Sequence, residues 1–190
     1  GVVATVSINF MIIGCCMGVC GGFAIPIAQQ FGAGRYSELR KYVYNSYILS
    51  IVLSIVLTIL SVVFTQSILR LMKTPDNIFW HSYNYIVIIF AGIPTVFLYN
   101  IVSSIIRALG DSKTPVIFLV LSAVMNIFLD IWFITGLKMG VAGAAWATDI
   151  SQFVSGLLSL IYMNKKNDVL KFQKGEKQIH RQHAINLIVN

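Results

Sequence analysis

The chain has 190 residues, 57% of them hydrophobic and 11% charged, with a mean hydropathy of +0.79. Soluble domains carry about 25% charged residues, so this chain has too little polar surface to cover a water-exposed globule and reads as a membrane protein. The formal net charge of +7 does not point to nucleic acid, because the charges fall in short clusters between long uncharged runs, the pattern of basic loops on the cytoplasmic side of a membrane.

Those runs set the expected elements. Residues 1–34 and 42–69 carry no charge, 77–106 has only His81 as a group titrating near neutrality, 114–137 has only Asp130, and 139–164 only Asp149. Each meets or exceeds the ~20 residues a helix needs to cross the hydrocarbon. Five spans are predicted, at 2–32, 42–67, 76–106, 115–136 and 142–163. The fold class is therefore all-α, a polytopic helical membrane bundle.

In the first span, Cys15, Cys16 and Cys20 have no His and no second Cys pair nearby, so they read as small buried packing residues. Gly14, Gly18, Gly21 and Gly22 suit close helix–helix approach. Pro26, and Pro94 in the third span, are expected to kink their helices, either as structural bends or as candidate hinges. The stretch FGAG at 31–34 is a glycine turn ending the first span. Lys73-Thr74-Pro75 and Lys113-Thr114-Pro115 read as helix starts, with Thr as N-cap and Pro at the first helical position. Tyr99 and Asn100, which follow Pro94, and Gln152 in the fifth span are candidate walls of a substrate cavity.

The fourth span holds the main chemical candidate. Asp130 at the centre of a helix costs roughly 2.5–3.5 kcal/mol on insertion scales. Asn126 lies four residues earlier, on the same face. The pair is either structural glue between helices or a proton or cation site, since a carboxylate with amide and hydroxyl oxygens suits a hard cation. The fifth span opens on Gly140-Val141-Ala142-Gly143-Ala144-Ala145 and carries Thr148 and Asp149. Asp149 either lines the same polar cavity or pairs near the outer headgroups. Thr148 matters only if it faces Asp130, since membrane Thr commonly bonds its own backbone.

Lys and Arg set the orientation. Arg35, Arg40, Lys41, Arg107, Lys113, Lys165, Lys166, Lys171, Lys174, Lys177 and Arg181 fall on one side, against Arg70, Lys73 and Lys138 on the other. The first group is expected to be cytoplasmic. The first span then runs from outside to inside, which places a preceding helix ahead of Gly1. Residues 165–183 read as a cytoplasmic linker, and 184–190, apolar again, as the start of a further span. Residues 1–164 form one lobe. No enzyme motif is present: no phosphate-cradling glycine loop before a Lys, no Ser-His-Asp spacing and no HExxH. No enzymatic activity and no cofactor beyond a coupling ion are expected.

Three ordered motifs carry a resemblance. Ala28-Gln29-Gln30-Phe31-Gly32-Ala33-Gly34 is similar to the loop after the second helix of MATE transporters. Arg107-Ala108-Leu109-Gly110-Asp111-Ser112-Lys113-Thr114-Pro115 resembles their loop between helices four and five, and Gly140 to Ala145 followed by Ala147-Thr148 looks like the start of their sixth helix. The resemblance covers nearly the whole chain and implies helices two to six of a two-lobed, twelve-helix protein, plus the inter-lobe linker and the opening of helix seven. It implies an antiporter in the inner membrane that expels cationic or amphipathic small molecules in exchange for H⁺ or Na⁺. Its partners would be the lipid bilayer, the first helix and the C-terminal lobe, and not nucleic acid. It also implies a cation site at Asn126, Asp130 and Thr148; Asp149 departs from the family pattern, which is apolar there. The other readings are a lipid-linked oligosaccharide flippase of the same superfamily, which would want basic residues within the spans, and a non-transporting membrane scaffold.

Overall fold

The computed structural model describes residues 2–71, 76–171 and 181–189; side chains are further limited to those outside 2–9, 68, 76–78, 81, 181–182 and 188–189. Seven α-helices are described: α1 (Val2–Gly32), α2 (Tyr36–Leu71), α3 (Asp76–Ala91), α4 (Ile93–Ala108), α5 (Lys113–Ile131), α6 (Val141–Lys166) and α7 (Arg181–Val189). A π-helical turn, Trp132–Gly136, extends α5, and a short 3₁₀ turn, Asp168–Leu170, follows α6.

The segments Phe10–Gly32, Tyr36–Leu71, Ser82–Ala108 and Lys113–Gly136 are long and apolar enough to cross a membrane. The fifth expected span, α6, is not among them, although its 26 residues reach about 39 Å at 1.5 Å per residue. Its apolar character is diluted by Thr148, Asp149, Ser151, Gln152, Ser155 and Ser159. Those small polar side chains are the reason it can run through the bundle. Ser151, Ser155 and Ser159 are buried at 0–1% exposure, and small residues let membrane helices approach closely.

The third expected span is interrupted. Gly92 separates α3 from α4, with Pro94 in the first turn of α4. Pro94 has no N–H to give the Phe90 carbonyl, so the helical ladder cannot run through. Gly92 N instead donates to the carbonyls of Ile88 (3.1 Å) and Ile89 (3.2 Å), and Thr95 N returns to Gly92 O at 2.9 Å. Pro26, by contrast, lies buried inside an α1 that is assigned as one helix throughout.

α4 is the hub, packing against α1, α2 and α6, while α5 leans chiefly on α6. The apolar core gathers Cys16, Phe23, Ile27, Leu39, Val43, Phe97, Ile101, Val102 and Ile105. Cys16 and Cys20 are buried as expected, but Cys15 is exposed, because one residue of helix turns it about 100° off the face that its neighbours share. The glycines of α1 also depart from expectation. A Cβ on Gly14, Gly18, Gly21 or Gly22 would meet nothing within 4 Å, so no described helix packs closely on that stripe. The close approaches fall on α6 instead. A Cβ on Gly143 would lie 3.0 Å from Phe133 Cβ, and one on Gly156 would lie 3.2 Å from Tyr99 N.

Two tight turns use glycine as the left-handed residue that ends a helix. Gly34 (φ +69°) follows α1 and Gly110 (φ +88°) follows α4. Arg35 N reaches Gln30 O, and Asp111 N reaches Ile106 O. The FGAG turn is thus where the sequence placed it. Thr114 does not cap α5, which begins one residue before it. Asp111 does the capping, accepting from Thr114 N at 3.0 Å and Thr114 Oγ1 at 2.7 Å. The matching motif at 73–75 lies outside the described residues. α7 docks on α2 through Glu38 and His183 (2.8 Å) and through Asn186 and Tyr42 (3.1 Å).

Candidate ion site and its surroundings

α5 and α6 run antiparallel, and three contacts fix their register. Ser155 Oγ donates to Phe118 O at 2.6 Å. Asn126 Nδ2 donates to Thr148 Oγ1 at 3.4 Å. Farther along, Gly143 faces Phe133. The helices can close this tightly because α6 offers Ser, Thr and Gly where α5 offers backbone.

Asn126 and Thr148, 22 residues apart in sequence, therefore meet across the seam. Thr148 Oγ1 gives its own hydrogen to Ala144 O at 3.0 Å, which leaves its lone pairs to accept. Asn126 spends an N–H on Thr148. Asp130 is on the same face of α5, one turn on. Its Oδ1 is buried and has no hydrogen-bond partner among the described residues. No Lys or Arg pairs with it among them. An unpaired buried oxygen of this kind is costly unless a proton or cation satisfies it.

The backbone beyond Asp130 is also unusual. Leu137 N reaches back five residues to Trp132 O at 3.0 Å, and Thr135 Oγ1 bonds Ile131 O. Wide turns of this type recur at functional sites, because they leave carbonyls short of partners and re-aim side chains. Among the described residues no three His, Cys, Asp or Glu side chains converge. Asp130, Asn126 and Thr148 offer one carboxylate, one amide and one hydroxyl, chemistry that suits a hard cation or a proton and not a thiophilic metal.

Asp149 does not join this group. It follows Thr148 by one residue, so its side chain leaves α6 about 100° away and faces α4 instead of α5. There it occupies the space above Gly92, where any Cβ would overlap its carboxylate. The helix break thus doubles as a notch for a side chain from another helix. The residue that makes room, Gly92, was not singled out from the sequence; its signal was a lone Gly two residues before a Pro in an apolar run.

The three expected cavity residues do not line the cavity between α2, α4 and α6. Tyr99 is 9% exposed and donates to Pro115 O at 2.8 Å. Asn100 is 7% exposed and donates to Val96 O at 2.8 Å. Both are ties within the packing. Gln152 Oε1 is buried without a partner among the described residues. The described cavity, ≈ 380 Å³ between α2, α4 and α6, is lined by none of the three.

Residues 1–132 match the family described as MatE. The probable multidrug resistance protein YoeA of Bacillus subtilis (strain 168) is 37% identical over 169 residues, 87% of this chain and 36% of that protein. The multidrug export protein MepA of Staphylococcus haemolyticus (strain JCSC1435) is 31% identical over 162 residues, 85% of this chain and 35% of that protein. Among solved structures, an inward-facing conformation of a multidrug resistance MATE family transporter of the MOP superfamily superposes with a TM-score of 0.88 at 26% identity, covering 97% of this chain and 42% of that one. An outward-facing conformation does so with a TM-score of 0.86, at the same identity and coverage. The chain spans little more than a third of the curated relatives it matches, 36% of the first. The motif matches read from the sequence, the family match over residues 1–132 and the superposition of the helical bundle agree, and the chain belongs to the MatE family.

Proposed function

We propose that this chain is part of a secondary active multidrug efflux antiporter, exporting cationic or amphipathic compounds in exchange for H⁺ or Na⁺. Residues 1–164 act as the N-terminal lobe, 165–183 as a cytoplasmic inter-lobe linker and 184–190 as the opening of the next span. The protein works in the inner membrane, its basic turns facing the cytoplasm. Multidrug names among the relatives support the export reading.

The observation that carries the ion coupling is the meeting of Asn126 with Thr148 beside an Asp130 oxygen that has no partner. Charged and empty, Asp130 strains the α5–α6 seam. Neutralised by a proton or a Na⁺, it is satisfied and the seam closes. That difference biases the equilibrium between the two access states by no more than the ion's differential affinity for them. The similar fit to the inward- and outward-facing structures, 0.88 and 0.86, supports a lobe that moves largely as a body. A flippase of lipid-linked sugars is disfavoured, because its pyrophosphate would want cations within the spans and the Lys and Arg of this chain cluster at helix ends.

The test is Asp130→Asn in the full-length protein, reconstituted in liposomes with an imposed Na⁺ or pH gradient. Gradient-driven ethidium export should fall at least tenfold, while the variant inserts and purifies like the wild type. Export at the wild-type rate from that variant removes Asp130 from the coupling.

A further inference from the structure

The far end of the expected linker meets α2, and the two helices fit stripe to stripe. Glu38 and Tyr42 lie four residues apart near the start of α2, on one face. His183 and Leu187 lie four apart on α7, with Asn186 on the same face. One Glu38 carboxylate oxygen accepts from Lys41 Nζ and the other from His183 Nε2, both at 2.8 Å. The Tyr42 ring meets the His183 ring edge to face, with centroids 4.5 Å apart. The Tyr42 hydroxyl accepts from Asn186 Nδ2 at 3.1 Å. Leu187 is buried, whereas Ile185, off that face, is 48% exposed.

α2 holds the chain a second time, ahead of α7. The Arg40 guanidinium donates to Val169 O at 3.1 Å, and Leu170 beside it is buried. Tyr42, Leu170 and Leu187 all belong to the apolar core built on α1, α2 and α4. A half-exposed pair such as Glu38 with His183 contributes little alone. Here three polar ties lie over a buried apolar seam. Burial of the seam supplies the attraction, and the ties fix its register. α7 is thus packed as a member of this bundle.

We propose that α2 clamps the chain at Val169 and again at His183–Leu187, so that the first turns of α7 move with α1 and α2 as one body. The pivot between the two lobes then lies beyond Leu187 and not in the expected linker at 165–183. That consequence rests on reading α7 as the opening of the next lobe, as above; the clamp itself does not.

The experiment follows amide hydrogen exchange across residues 181–189 by mass spectrometry, in the full-length protein in lipid nanodiscs; exchange reports local opening. Glu38→Ala removes the acceptor on α2 without touching α7. Exchange in α7 should rise about fivefold, as the loss of one hydrogen bond predicts. His183→Ala should do the same, and the double variant should add little to either, since both remove one tie. Lys41→Ala removes the other partner of Glu38 and should leave α7 within about twofold of the wild type. Unchanged exchange in both Glu38→Ala and His183→Ala overturns the clamp. So does an equal rise with Lys41→Ala, which traces the effect to α2 itself. A second measurement places spin labels at Ser37→Cys and Ile185→Cys, both exposed, with Cys15, Cys16 and Cys20 replaced by Ala. One narrow distance, unmoved by an imposed change of Na⁺ or pH, is expected. A distance that shifts or splits overturns the one-body arrangement. A clamp intact in both measurements, in a wild type that shows no gradient-driven export, sinks the antiport reading and leaves this inference standing.

Discussion

Asp149 and Thr148 are neighbours in sequence, yet one meets α4 and the other α5. That separation was not legible beforehand. α5 is apolar nearly all round, with Val116, Ile117, Val120, Ile127 and Phe128 all more than half exposed. A helix without a polar face gives no moment from which to read its rotation. The Asn126–Thr148 meeting was implied by the family resemblance, whereas the residues alone left open whether Thr148 faced α5 or only bonded its own backbone. The notch at Gly92 offers a test at the same scale. Gly92→Ala drives a methyl into the Asp149 carboxylate and should cost about 1–3 kcal/mol, as overpacking does. Asp149→Ala in the same chain makes room and should restore most of the lost melting temperature in detergent. If Gly92→Ala melts like the wild type, the carboxylate is not held in the notch.

At the scale of elements, the turn from α4 to α5 is tied to the end of α6. Asp111 accepts from Thr114 and also pairs with Lys166 Nζ at 3.0 Å. The Thr114 hydroxyl and amide, with Lys166 beyond them, hold the Asp111 carboxyl at about 2, below its ordinary 3.8. A carboxylate held low in the folded state adds stability above its ordinary value and loses that stability as pH falls through the folded one. Asp111→Ala should therefore lower stability by about 1 kcal/mol, the usual cost of a lost helix cap. The gap in melting temperature should stay flat between pH 5 and 8 and narrow between pH 4 and 2. A gap that widens on acidification contradicts the capping role. Lys166 is half exposed, so its ion pair adds little beyond the cap. The sequence marked this start but credited Thr114, since both residues are good caps and only the turn at Gly110 decides which one reaches the free amides. The span expected at 76–106 is carried by α3 and α4 together, within the apolar stretch Ser82–Ala108, but its helix breaks at Gly92 for a related reason. Pro94 was visible as a kink, but whether a chain bends or breaks there depends on what fills the gap, and the filler comes from α6.

For the whole molecule, helix direction turns a charge pattern into an orientation. α1, α4 and α6 end where α2, α5 and α7 begin. Arg35, Arg40, Lys41, Arg107, Lys113, Lys165 and Lys166 therefore gather at one end of the bundle, with Lys138 at the turn between α5 and α6 opposite. The end was legible in the sequence because charge clusters need only be assigned to alternate loops, with no knowledge of packing. Moving several cations across a membrane is so costly that the basic end is expected on the side of synthesis. The test uses the full-length protein with Cys15, Cys16 and Cys20 replaced by Ala, carrying one new thiol at an exposed turn. Ser112→Cys, at the basic end, should react with a membrane-impermeant maleimide in inside-out vesicles and stay unlabelled in intact cells. Lys138→Cys should do the reverse. Labelling of Ser112→Cys from outside would invert the proposed orientation.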